Sequence, residues 1–367
     1  MFTVFGVAYS FGAFVGPMES EFGALHAATS EVFSITAFLY FGLGLLSGRA
    51  VDRFGPRPIL LLGALAMGAG LLLTSQIGQL WLAYLTYGLG VGIATGCGYV
   101  PMVAVVTGWF ERRRSLANGL AVSGIGVGTL VGAPLAGLLI YLYGWRAAYA
   151  VLGVASAALL VLAALLSAKP PAPATDLQFK ATALLADRNF RWLYISVFLA
   201  TVTLFTVLVY LVPSARRIGV SAVAAPFLIG FLGAASTVGR VLLGFFADRF
   251  GVVRTFQAAL LLMSVTCVIW LFASGMVALA VFAVLFGAAY GGFIAIGPSV
   301  NAELLGADHL GGKVGVSYTA AGLGALVGPP LTGVTVDLTH SYALAISLAI
   351  CLGLLGTATA VFGFSRA

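Results

Sequence analysis

The chain has 367 residues, of which 61% are apolar and 8% charged, against the roughly 25% charged of an ordinary soluble domain; a soluble globular protein is excluded. The 48 glycines that accompany this apolar excess suit transmembrane helices packed through small residues, and exclude fibrous and disordered classes. The formal charge of +7 does not point to nucleic acid, because the basic residues sit in short loops between apolar runs instead of on one solvated surface.

A bilayer-spanning helix needs about 20 mostly apolar residues. Cutting the chain where charges and turn formers cluster predicts twelve spans: 1–17, 31–48, 58–75, 80–106, 115–141, 146–167, 190–212, 226–247, 255–274, 276–300, 314–336 and 342–363. The expected fold class is therefore an all-α integral membrane protein in two six-helix halves. The first span starts at Met1 with no polar leader, so the chain is expected to begin part-way along its first helix. A signal peptide is disfavoured, since a charged leader and a small-residue cleavage site are both missing. The longest interruption runs from Ser167 to Arg188 and contains KPPAPATDLQ, which cannot continue a helix in lipid. It divides the chain into an N-terminal half (1–167), a linker (168–188) and a C-terminal half (189–367). Lys and Arg sort unevenly over alternate loops, 14 on one side and only Arg146, Arg216 and Arg217 on the other. Retention of positive charge inside then predicts cytoplasmic termini and linker, in a multi-pass protein of the plasma (inner) membrane. Cys97, Cys267 and Cys351 lie in apolar runs at unrelated spacings, so neither a disulfide framework nor a metal cluster is expected, and no cofactor is called for.

Two segments recur at one offset of 196 residues. Asp52-Arg53-Phe54-Gly55 returns as Asp248-Arg249-Phe250-Gly251, and GVGTLVGAPLAG from Gly126 returns as GLGALVGPPLTG from Gly322. Duplicated halves with an even number of spans are related by an axis along the membrane normal, and carriers built this way bind substrate between the halves near the midplane.

One charge falls inside a span. Arg240 lies 14 positions after Pro226, about 21 Å along a helix, where an arginine costs at least ~2.5–3.5 kcal/mol unless a cavity or partner receives it. Gly233, Ser236, Thr237 and Gly244 flank it as a small, polar stripe on one helix face. Its repeat mate is Gly44, so the duplication itself does not require a cation there. No span core holds an acidic residue, which makes this guanidinium a place for a carboxylate to arrive. The competing reading is an arginine that snorkels to the interface or bonds backbone carbonyls.

GRAVDRFGPR (Gly48 to Arg57), with its weaker copy GFFADRFGVVR (Gly244 to Arg254), resembles the cytoplasmic signature loop of the major facilitator superfamily. WFERRRSLANGLAVSGIGVG (Trp109 to Gly128) and EFGALHAATSEVFSITAFLYFGLG (Glu21 to Gly44) are similar to segments of monocarboxylate transporters and their oxalate/formate antiporter relatives. That resemblance implies a substrate-binding arginine at Arg240 and substrate-facing tyrosines at Tyr99 and Tyr290. Ser236 and Ser317 are further candidate contacts, as are Tyr318 and Thr319. Physical reasoning on the signature loops adds a cytoplasmic gate of Asp52, Arg53, Arg57, Asp248, Arg249, Arg112 and Arg113, whose carboxylates can pair across the halves. The aspartate-glycine-tryptophan motif of the family's first helix is missing. Ser236 stands where animal members carry an aspartate thought to hold the coupled proton, and Gly16 where they carry a lysine. The oxalate antiporters place a second cation in helix 11, but Gly315 to Thr335 contains none, which favours a monoanion.

The expected function is secondary active transport of a small organic monocarboxylate, by proton symport or anion exchange. Its partners would be the anion, protons under symport, and the lipid bilayer; the chain would act as a monomer and bind no nucleic acid. An exporter of another small molecule is the alternative, although a cationic drug would call for a membrane-embedded carboxylate. A non-transporting sensor is the alternative from another class. An enzyme is not expected, because no nucleophile, metal cluster or paired carboxylates come together.

Overall fold

The computed structural model describes residues 1–110, 114–169, 184, 186–306 and 310–364, without the side chains at 45, 46, 49, 52, 107 and 114–116. Regular structure among them is helical throughout. Among the described residues nine helices are long and apolar enough to cross a membrane. One of these folds back to cross twice, and two further rods at the N-terminus complete twelve.

In chain order, α1 is broken into Phe2–Tyr9 and Phe11–Phe22, followed by α2 (His26–Phe54) and α3 (Pro56–Thr74). The fourth rod, α4, is pieced together from Leu80–Ala83, a wider-wound turn at Tyr84–Leu89, Gly90–Gly98 and Val100–Trp109. Helices α5 and α6 are the two arms of Arg114–Leu166, which bends at Gly144 (φ 80°, ψ 163°), a backbone conformation that only glycine adopts without strain. Arg146 beside the bend donates to the Ser75 carbonyl at the end of α3, while Arg57 at the start of α3 donates to the Ser167 carbonyl after α6. The arm therefore runs back antiparallel to α3. The rest are α7 (Arg188–Arg217), α8 (Ala225–Phe250), α9 (Val252–Leu271), α10 (Met276–Leu305), α11 (Leu310–Thr339) and α12 (Tyr342–Gly363). Asp187 caps α7 by accepting the Phe190 N–H at 2.9 Å.

Rods from the two ends of the sequence cross in pairs, α2 against α11 and α5 against α8. Under the 196-residue offset these two crossings are images of each other. The bundle has a basic face, near Gly55, Ser167 and Gly251, and a far face, near Gly23, Gly144 and Gly219. Bonds between the sequence halves concentrate toward the far face. The Asp337 carboxylate at the end of α11 accepts the N–H groups of His26 and Ala27 at the start of α2, both at 3.0 Å. It satisfies donors that a helix N-terminus leaves without partners and complements the helix dipole. Tyr210 of α7 donates to the His26 carbonyl at 3.0 Å. At the basic face no ion pair joins the halves among the described residues. Hydrogen bonds that tie the halves together among the described residues thus lie toward the far side and at mid-bundle.

His26 also sits 2.6 Å from Glu19 at the end of α1. Bonding to Glu19 raises the pKa of this imidazole against the opposing effect of burial; the carboxylates of Glu19 and Asp337 raise it further, and Arg217 lowers it. A raised pKa means that the pair stabilises the folded chain fully below about pH 6.5 and ceases to do so as pH rises through the elevated value. The melting temperature of the native chain should thus exceed that of His26→Gln most at pH 5–6, and the gap should close by pH 9.

Candidate functional site

Pro101 shapes the first-half wall of the site. It has no N–H and collides with the preceding turn, so α4 breaks at Tyr99 (φ −109°, ψ −88°) and resumes at Val100. Tyr99 comes to line a cleft between the halves, with Tyr9, Phe41 and Ile125 on its own side and Tyr290 and Tyr318 opposite. The cleft takes in about 650 Å³ with open solvent included, of which about 40 Å³ is reachable by the centre of a water molecule, and continues along α10 to Asn301, four residues from the end of that helix.

Arg240 on α8 is only 8% exposed. Its Nη1 donates to the Val122 carbonyl of α5 at 2.5 Å, a bond from one half of the sequence to the other. Nε and Nη2 are buried and have no hydrogen-bond partner. Unpaired guanidinium donors in an apolar interior cost several kcal/mol, and no carboxylate stands near to offset them among the described residues. Tyr99 and Tyr318 meet across the cleft. These rings come from opposite halves and lie nearly parallel, 6.4 Å apart at an interplanar angle of 19°. The guanidinium itself does not line the cleft; Tyr99, Tyr318 and Ile125 do.

Close approach of α5 and α8 makes the Val122 bond reachable. A Cβ on Gly126 would overlap the Thr237 hydroxyl and the Gly233 carbonyl, so the two backbones touch where a side chain would hold them apart. At the repeat position Gly44, a Cβ would meet Val100, which fills that space.

The remaining candidates divide. Tyr290 is 2% exposed and lines the cleft beside Tyr99. Ser317 also lines it, donating at 2.7 Å to Asn301 Oδ1, a residue that sequence reasoning overlooked. Ser236 does not reach it: its hydroxyl donates to the Gly233 carbonyl one turn back, and Gly291 of α10 packs on its backbone. The polar stripe beside Arg240 is a helix-packing seam. Thr319 bonds Tyr194, away from the cleft.

Of the gate residues, Arg53 and Arg249 are exposed and stack on Phe54 and Phe250, at 5.1 and 5.6 Å. Arg57 bonds Ser167, and Asp248 is exposed. Arg112 and Arg113, and the side chain of Asp52, lie outside the described residues. Lys313, expected in a loop, is buried at the start of α11, where it donates to the Leu305 and Gly306 carbonyls and caps the C-terminus of α10.

A bundle of membrane-length helices whose two sequence halves enclose a cleft at mid-bundle has the form of a membrane carrier. The Major Facilitator Superfamily model matches residues 1–251 and 233–366, and the chain belongs to that superfamily of transporters. It is similar to monocarboxylate transporter 3 of Rattus norvegicus, 32% identical over 370 residues covering 95% of this chain and 75% of the relative. MFS-type transporter 1 of Ophiocordyceps sp. (strain BCC 1869) is 30% identical, covering 91% of this chain and 75% of its own length. Among solved structures, a bacterial homolog of the human lysosomal transporter Spinster, in an inward-facing and occupied conformation, superposes with a TM-score of 0.79. That match has 16% identity and covers 99% of this chain and 94% of the other, a likeness of fold.

Arg240→Ala removes two unpaired donors along with one bonded one, so it should express and melt within a few degrees of the native chain. Arg240→Lys keeps the charge without the two-pronged edge and should weaken anion binding about 10-fold or more. Thermal melting and equilibrium binding on the same preparations check both.

Proposed function

We propose that the chain carries a small organic monocarboxylate across the bilayer by alternating access, with halves 1–167 and 189–367 rocking about the α2/α11 and α5/α8 crossings. One observation carries this reading: Arg240 is buried with Nε and Nη2 unpaired. Those two donors form one edge of a planar fork, and a carboxylate presents two oxygens to match it. A single such cation suits a monoanion, and the monocarboxylate transporters among the relatives favour the same class. Tyr99 and Tyr318, which meet across the cleft, would complete the carboxylate's surroundings. Nη1 remains on Val122, so the bound anion is tied to both halves at once.

The Lys and Arg distribution supports a cytoplasmic basic face, with both termini there, in the inner membrane. Closure of that face would bring Asp52, Arg53, Arg57, Arg112 and Arg113 of one half toward Asp248 and Arg249 of the other. Asp52→Asn should then slow exchange while leaving equilibrium binding nearly intact, checked by uptake rate and binding affinity on one sample.

Coupling follows from the same charge. With Ser236 one turn away in place of a titratable group, only the incoming anion neutralises Arg240, and an empty carrier must move an unpaired cation through a changing dielectric. Exchange of one anion for another should therefore outrun net uptake. In proteoliposomes, preloading with unlabelled acid should accelerate entry of labelled acid several-fold. Ser236→Asp should shift the balance toward proton-driven net flux. Equal entry rates with and without preloading would contradict the exchange reading.

A further inference from the structure

Beyond the charge of the ligand, the walls of the cleft describe its body. Phe41, Tyr99, Phe256, Tyr290, Phe293 and Tyr318 all line it, and further aromatic side chains of α1 join them. Phe256 and Phe293 stand 5.5 Å apart at 33°, in the part of the cleft toward the basic face. From Tyr290 to Asn301 the cleft follows α10 over 11 residues, about 16 Å of helix. That length exceeds what a carboxylate with one or two further carbons would occupy.

The non-aromatic polar side chains along this wall are already engaged. The Thr201 hydroxyl donates to Val197 O at 2.7 Å, Ser317 to Asn301 Oδ1 at 2.7 Å, and Asn301 Nδ2 to Gly297 O at 3.0 Å. A hydroxy- or keto-acid whose second polar group reached Thr201, Ser317 and Asn301 would surrender water there and meet partners that are already paired. An apolar body gains instead, and an aryl ring gains most, because its edge and faces match the surrounding rings.

Phe293 is the residue placed to make this choice. It follows Tyr290 by three positions, on the same face of α10. α10 is pressed against α8 along the segment that carries Arg240: Gly291 packs on the Ser236 backbone and Gly292 on Leu243. Phe293 therefore stands on the cleft wall of the helix that packs against the Arg240 segment, with Phe256 beside it.

Resting on the carboxylate reading above, we infer that the cleft selects monocarboxylates with an aromatic or branched hydrocarbon body over short hydroxy- and keto-acids, with Phe293 and Phe256 as the specificity-determining residues. The test is equilibrium binding to the purified full-length chain, comparing 3-phenylpropionate, its neutral amide, L-lactate and acetate. The expected result is half-saturation by 3-phenylpropionate at a concentration at least tenfold below that of lactate or acetate, with the amide at least tenfold weaker than its acid. Phe293→Ala, or Phe293→Leu should the alanine variant fail to fold, should reduce the phenylpropionate-to-acetate ratio at least threefold, and Phe256→Ala should act in the same direction. Lactate or acetate binding as tightly as 3-phenylpropionate overturns this inference and leaves the carboxylate reading standing. Amide and acid binding equally overturns the carboxylate reading itself.

Discussion

An arginine side chain held in an apolar interior with two of its three nitrogens unpaired is the feature around which the rest of the molecule is arranged. Arg240 keeps one bond, from Nη1 to the Val122 carbonyl of the opposite half. That bond exists only because α5 and α8 touch backbone to backbone at Gly126 and Gly233. Helix packing through small residues, which membrane proteins use for association, here also sets the reach of a charged side chain. Burial raises the cost of the unmet donors, and the same burial strengthens the attraction for an anion that would meet them.

The two faces of the bundle complement that centre. Toward the far side the halves are joined by neutral packing and by a carboxylate on a helix N-terminus, Asp337 against His26 and Ala27. Toward the basic side the charged residues that could pair across the halves are exposed and turned onto neighbouring phenylalanines. The cleft runs from mid-bundle along α10 toward that basic side.

Much of this was legible in the sequence, for identifiable reasons. Span lengths follow from hydrophobic thickness, the duplication is visible in Asp52-Arg53-Phe54-Gly55 and its copy, and a lone Arg240 among apolar residues announces an expensive burial. Tyr99 could have been read more sharply, because Pro101 two residues later marks where the helix must break. Other features carry no local signal. Asp337 meets His26 across 311 positions of sequence, and an acidic residue at a span end looks the same whether it faces water or a helix terminus. The Ser317–Asn301 pair is equally silent, since a serine and an asparagine on different helices reveal no register. Ser236 was misleading for the opposite reason: a polar stripe beside a buried cation suggests a cavity, but its side chains are small enough for α5 to pack directly onto Gly233 and Thr237 and α10 onto Ser236.

The central claim is that the free edge of Arg240 receives a carboxylate, and the guanidinium protons report it most directly. In nitrogen-15 NMR of the arginine side chains, the Arg240 Nε–H resonance can be assigned by its loss in Arg240→Lys. Saturating acetate should move that resonance downfield as a charge-assisted hydrogen bond forms. An Nε–H resonance that stays in place while acetate demonstrably binds the protein would contradict the account.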